Sequence, residues 1–204
     1  MDYALPNDGT FLHVGCGQKR AEQTPFAGRG WREIRMDIDA NVQPDVLGTM
    51  TDMSSIQDEC VDAIFSSHNI EHLYPHEVGK ALAEFLRVLR PGGFALITCP
   101  DLRSVCKRVA EDQLTEAAYT SPAGPIAAMD ILYGHRAAMA AGNLYMAHRC
   151  GFTEKVLVGT LQAAGFQQVA SLCRPQVFDL WAMATKEVWP DEALQAAAGQ
   201  LIGR

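Results

Sequence analysis

Three groups of residues in this 204-residue chain have the types and spacing to do chemistry. The first is Gly15-Cys16-Gly17 together with Asp37. The apolar run Phe11-Leu12-His13-Val14 enters a Gly-x-Gly turn, the pattern of a buried parallel strand that delivers its backbone to a ligand. Glycine lets the main chain turn sharply and come close to that ligand. Asp37 lies about 20 residues on, after a second strand-like stretch from Trp31 to Met36. An acid at that offset can hold the ribose hydroxyls of a bound nucleoside. Ile38 follows it, and Asp39 is the alternative acid. An ordinary strand-to-helix turn with a surface aspartate is the plainer reading of the same residues.

The second group is Thr49-Met50-Thr51-Asp52-Met53, which leaves the short strand Asp45-Val46-Leu47-Gly48. Asp52 could bond a purine's exocyclic amine, with Met50 or Met53 in apolar contact and Thr51 between them. An exposed turn is the alternative. The third is Ser67-His68-Asn69-Ile70-Glu71-His72-Leu73, polar groups crowded after the strand Val61–Ser66. Ligands bind at such carboxyl ends in open α/β sheets. His68, His72 and His76 would share a helix face as a metal set. Pro75 interrupts them and no further ligand cluster is visible, so no metal is expected.

These groups need a parallel sheet to bring them together. Strand-like runs end at Val14, Met36, Gly48, Ser66 and Cys99. An amphipathic helix runs from about Pro75 to Arg90, with Val78, Leu82, Phe85, Leu86 and Leu89 at helical spacing, and Pro91-Gly92-Gly93 stops it. The segment between the first two strands is a poor helix, with Pro25 in its middle and Gly28 and Gly30 at its end. Its Lys19 and Arg20 are either near a ligand carboxylate or solvated. Residues 101–150 are a long connection, helical from Leu102 to roughly Ala118 and broken at Ser121–Pro125. Its stretch from Met129 to Arg149 carries His135, His148, two tyrosines and two arginines, which suits a lid over the substrate; a dimer-forming or decorative insertion is the alternative. Thr153 can cap a helix that Gly165 ends. Strands Phe166–Cys173 and Phe178–Thr185 make an antiparallel pair, and a terminal helix follows from Trp189.

A hydrophobic fraction of 48% fits a full globular core. No apolar run reaches the roughly 20 residues of a membrane span. The start, Met1 to Asp8, has neither a basic nor an apolar region of a secretory signal, so a cytoplasmic location is expected. Six cysteines at irregular spacing read as free thiols, with Cys16 and Cys99 as small residues in crowded places. A net charge of −7 speaks against a nucleic-acid surface.

Taken together, Leu12–Gly17, Asp37, Val61–Leu73, Phe85–Phe94 and Gly151–Phe166 resemble the motifs of the class I S-adenosylmethionine-dependent methyltransferase family. The resemblance implies one α/β domain over residues 1–204. It implies a doubly wound, mostly parallel seven-stranded sheet of order 3-2-1-4-5-7-6, with strand 7 antiparallel and helices on both faces. It implies S-adenosylmethionine as cofactor, held by His13, Gly15, Cys16, Gly17, Asp37, Ile38, Thr51, Asp52, Met53, Ser67 and His68. Three features depart from the family pattern. His13 stands where an acid is common, Lys19 where a third glycine is frequent, and the first helix is truncated.

The activity implied is O- or N-methylation of a small-molecule acceptor. His68, His135 and His148 are the candidates for a base, since imidazole titrates near neutral pH. A non-catalytic binding protein of the same fold is the alternative, and a homodimer is the other use of the insertion. A nicotinamide-dependent oxidoreductase is a third reading, opposed by the missing third glycine and the terminal antiparallel pair.

Overall fold

The computed structural model describes Leu5 and Asp8–Gly203. Most of the N-terminal stretch read as lacking a secretory signal, residues 1–4 and 6–7, lies outside the described residues. The sheet contains β1 (Thr10–Val14), β2 (Arg32–Asp37), β3 (Val46–Leu47), β4 (Val61–Ser67) and β5 (Leu89–Pro100). After an insertion that holds β6 (Ala117–Ser121) and β7 (Gly124–Ala127), it is completed by β8 (Gln168–Arg174) and β9 (Asp179–Thr185). The order is β3-β2-β1-β4-β5-β9-β8. This is the expected order 3-2-1-4-5-7-6, since the insertion takes two strand numbers. The seventh strand of the sheet, β9, runs antiparallel to both neighbours. Leu12 stands opposite Ile34 on one side and Ile64 on the other. The strand order therefore reverses at β1, and a crevice opens between the carboxyl ends of β1 and β4.

Both faces of the sheet are covered, so its central strands are continuous apolar runs rather than alternating ones. Leu12, Val14, Ile64 and Ile97 pack under α1 (Pro75–Val88) and α5 (Glu154–Ala164). α1 starts on Pro75, with the Glu77 side chain accepting from the Tyr74 N–H at 2.9 Å. Val78, Ala81, Leu82 and Phe85 form its buried stripe. The other face receives α6 (Asp191–Leu201). Where a first helix would complete that face, there is one 3-10 turn at Ala21–Gln23. Phe26 fills the gap, stacked on Phe11 at 4.3 Å and tilted against Trp31 at 4.9 Å. Three rings thus bury the apolar surface that a helix would cover. Arg29 ties this loop to α6 through the Gln200 carbonyl at 3.0 Å.

The insertion differs from its sequence reading. The expected helix to Ala118 stops at Ala110, giving α2 (Leu102–Ala110). Asp112 turns into the left-handed conformation just beyond it (φ 59°) and breaks the helix. Ala117–Ser121 then pairs with Gly124–Ala127 as a hairpin, Tyr119 and Thr120 being residues that favour strands. α3 (Ala128–Tyr133) and α4 (Arg136–Ala140) follow. Val105, Ile126, Ala128 and Ile131 give this region a small core of its own. No helix among the described residues is long and apolar enough to cross a membrane.

Candidate functional site

The glycine turn is stitched to the end of β4. Gly15 has φ +61°, and a Cβ there would sit 1.9 Å from Asn69 Oδ1. Asn69 reaches across the crevice, its Nδ2 donating to Val14 O at 2.9 Å and Ser67 O at 3.0 Å. The Cys16 N–H bonds Met36 O at 3.1 Å, and the Gly17 N–H bonds Asp37 Oδ2 at 2.8 Å. Asp37 Oδ1 accepts from the Asp39 N–H at 2.9 Å. Asp37 is thus fixed by two amides, and an ionised carboxylate has further lone pairs for outside hydroxyls. Asp39, the alternative acid, caps the next turn by accepting from the Asn41 N–H. Burial pushes the Cys16 thiol up to about 11, so it stays protonated and acts as a small filler of the turn.

Arg35 supplies what the missing helix does not. Its side chain lies in a residue only 2% exposed, and its guanidinium bonds four carbonyls. Those are Gly17 and Lys19 on the turn, and Val42 at 3.2 Å and Gln43 at 2.8 Å on the loop after β2. The turn after β1 and the loop after β2 are thereby anchored to one charge. Sequence reasoning treated Arg35 as a strand residue. The signal was there: Glu33 and Arg35 alternate on one strand face where no helix can cover them.

His13 does not stand as an isolated substitute for an acid. Its Nδ1 meets Glu33 Oε1 at 2.6 Å, and Glu33 Oε2 accepts from the Ala21 N–H. The carboxylate absent from β1 is present one strand away, behind the imidazole. Burial pushes His13 below its ordinary 6.5, against the pull of Glu33. As pH falls through 6.5 the unfolded chain gains a proton that folded His13 resists, so this residue's contribution to stability is complete above 6.5 and declines below it. Thermal melts should show the stability advantage of wild type over His13→Asn shrinking between about pH 7.5 and about pH 5.5; a gap that widens as pH falls would refute that sign.

The crevice holds a cavity of about 530 Å³, within the range of small-ligand sites. Its wall includes His13, Gly15, Cys16, Gly17, Asp37, Ile38, Thr51, Ser67 and His68 of the expected set. Asp52 and Met53 stand away from it. Asp52 closes a tight turn on Thr49 O and is exposed. Met53 is fully buried under α1, its backbone gripped by Glu84 and Arg87. Met50 is at the wall instead. Asn143, Tyr145, Met146 and Arg149 close the far side, residues that no sequence motif marks.

Of the three candidate bases, His68 alone lines the cavity. It is half exposed and held in the left-handed conformation (φ 55°), with its N–H on Thr98 O. A histidine held there is unusual and worth a functional reading. Crowding lowers its pKa, but the Glu71 carboxylate, 3.3 Å from Nδ1, more than offsets this and leaves it above the ordinary value. His148 Nδ1 donates to Ile131 O at 2.8 Å, and burial lowers its pKa. His135 begins α4, away from the cavity. The metal set weighed from the sequence does not form, because His76 is exposed and stacks on Tyr74. A different group does form, Glu71 with His72 and His148. Burial raises the Glu71 carboxyl, but the His68, His72 and His148 imidazoles outweigh it and hold it below the ordinary value.

A seven-stranded sheet with an antiparallel last strand, and a glycine turn facing a strand-end acid at its switch point, make up the class I methyltransferase fold. Residues 12–97, somewhat under half of the chain, match the methyltransferase domain family. A Burkholderia thailandensis 1,6-didemethyltoxoflavin N1-methyltransferase, solved with 1,6-didemethyltoxoflavin and S-adenosylhomocysteine, is 19% identical with TM-score 0.55, covering 88% of this chain and 71% of that one. A possible histamine N-methyltransferase from Thermotoga maritima is 18% identical with TM-score 0.56, covering 88% and 83%. A Methanosarcina mazei S-adenosylmethionine-dependent methyltransferase is 17% identical with TM-score 0.58, covering 92% and 96%. No curated protein matches the chain. The domain match covers the first five strands of the sheet, and the solved structures share the fold of the whole, that of the class I S-adenosylmethionine-dependent methyltransferases.

Proposed function

We propose that the protein transfers the methyl group of S-adenosylmethionine to an oxygen or nitrogen of a small-molecule acceptor. One observation carries this reading: the cavity runs on from the Gly15–Gly17 turn and Asp37 to a second wall of Asn143, Tyr145 and Arg149. One cavity bounded by both walls would bring a cofactor and an acceptor next to each other. The Burkholderia neighbour was solved with a small heterocycle and S-adenosylhomocysteine together, which supports the same arrangement. Asp37 would hold the ribose hydroxyls, Ile38, Met50 and Thr51 the base, and the turn with His13 the methionine end. Bound there, the cofactor supplies an electrophilic methyl on a sulfonium. The chain's own contribution is orientation of the acceptor against it, and Ser67 and His68 line that side. Residues 101–150 act as the cover of a single working unit, residues 1–204, and their exposed Tyr133, Leu144 and Tyr145 are where a homodimer would form. A cytoplasmic location belongs to the same reading, supported by six free cysteines. No nucleic acid is included among the partners of an acidic protein of net charge −7.

A second reading, a cofactor-binding protein without turnover, is favoured by His13 in the place of the usual acid; methyl transfer to any acceptor would remove it. Calorimetric titration tests the first. S-adenosylmethionine and S-adenosylhomocysteine should bind in the micromolar range, and Asp37→Ala should weaken both by about 10- to 100-fold, the value of charge-assisted bonds to hydroxyls. No binding of either ligand to wild type would overturn the proposal.

A further inference from the structure

We propose that Glu71, His72 and His148 form a binding site for a divalent transition-metal ion, on the acceptor side of the cavity. One ligand atom of each lies within 4.8 Å of the other two. Bonds of about 2.0–2.2 Å to a tetrahedral ion would place them about 3.4 Å apart, so the three side chains would close in on the ion. Two observations point to a cation. Glu71 is 1% exposed, and neither of its carboxylate oxygens has a hydrogen-bond partner among the described residues. The His68 contact at 3.3 Å is an ion pair without hydrogen-bond geometry. A carboxylate buried in this way is costly unless cations meet it, and half-exposed His68 is the single charged partner it has among the described residues.

The second observation is how the imidazoles are held. His72 Nδ1 lies 3.0 Å from Ala147 O, and His148 Nδ1 lies 2.8 Å from Ile131 O. A carbonyl oxygen only accepts, so Nδ1 is the donor in each ring and Nε2 is the nitrogen left to meet an ion. Metal-ligating histidines are oriented by their outer nitrogen in this manner. The rings meet edge to face at 4.9 Å. Two imidazoles and one carboxylate suit zinc, iron(II), cobalt or manganese better than calcium or magnesium. Three protein ligands leave positions open. His72 lines the cavity, which puts the site at its edge. Resting on the methyl-transfer reading, the ion would grip an acceptor oxygen and lower its pKa. Glu71 and His72 come from the turn after β4 and His148 from the cover, so the ion would also pin the cover to the sheet.

The test uses the full chain, stripped with chelator. Zinc is titrated calorimetrically and cobalt(II) by visible absorption, each with and without S-adenosylmethionine. One equivalent should bind, raise Tm, and give cobalt ligand-field bands without a thiolate charge-transfer band. Glu71→Gln and His148→Ala should weaken binding at least tenfold, while His76→Ala leaves it unchanged. Absence of saturable binding to wild type overturns the proposal, as does a thiolate band, which would place the ion on cysteines. Equal affinity in the folded Glu71→Gln protein does the same. If these variants do not fold, the wild-type stoichiometry and cobalt spectrum decide alone. Cofactor binding without metal binding would sink this site only. Metal binding without cofactor binding would keep the site and sink the methyl-transfer reading.

Discussion

Gly15→Ala should abolish measurable binding of S-adenosylmethionine and lower Tm by on the order of 10 °C. The added methyl would sit 1.9 Å from Asn69 Oδ1, and the backbone at φ +61° is one that L side chains rarely adopt. The conformation alone costs about 1–2 kcal/mol. Moving Asn69 aside would cost its bonds to Val14 O and Ser67 O, about 1 kcal/mol each. The sum is about 3–4 kcal/mol, and a domain of this size loses about 2–4 °C per kcal/mol. Binding suffers more than stability because the turn and Ser67 are the two sides of the crevice that Asn69 joins. Pairing Gly15→Ala with Asn69→Ala tests the cause. Part of the lost Tm should return because the clash is gone, while binding stays absent. If the single variant binds with wild-type affinity, the turn is not the cofactor site.

Arg35→Met should be nearly as damaging and by a different route. Methionine keeps the apolar stem but leaves the carbonyls of Gly17, Lys19, Val42 and Gln43 without their shared donor. Charge-assisted bonds contribute about 1.5–3 kcal/mol each, although carbonyls that swing into water recover much of this. A loss of about 2–4 kcal/mol in unfolding free energy is expected, together with cofactor affinity weakened at least about 30-fold. Arg35→Lys should not rescue it. A compact ammonium lacks the flat fork that serves several acceptors at once. Chemical denaturation and calorimetry on the two variants decide the matter; full rescue by lysine would mean that charge alone, and not the fork, holds the walls.

Much of the frame was legible in the sequence because it is local. Strand-like runs ending near Gly15, Asp37 and Ser67 mark strands, and Pro75 marks the start of α1; its end was read two residues too far, because Leu89 already pairs in β5 and Pro91-Gly92-Gly93 lie within that strand. The strand order came from resemblance, since no run of residues says which strand is its neighbour. The hairpin at Ala117–Ala127 was not legible, because Leu102–Ala118 has helical spacing until Asp112 turns left-handed. Asp52 and Met53 share a reason for standing away from the cavity. The grip of Glu84 and Arg87 on the Met53 peptide comes from about 30 residues away, beyond the reach of local pattern. Glu71 was read as one polar group among several. Its role depends on His148, which Arg149 brings near by donating its N–H to the Glu71 carbonyl at 2.8 Å.

The ring cluster that stands in for a first helix affects how the protein matures on the ribosome. Phe11, Phe26 and Trp31 are made early, but α6 covers them together with Phe65 and Phe94 and is synthesised after every strand of the sheet. Until α6 emerges, a nascent chain holds one apolar face open to water and to other chains. Synthesis of this protein should therefore lean on a holding chaperone up to the moment that Leu194, Ala197 and Leu201 arrive to close that side.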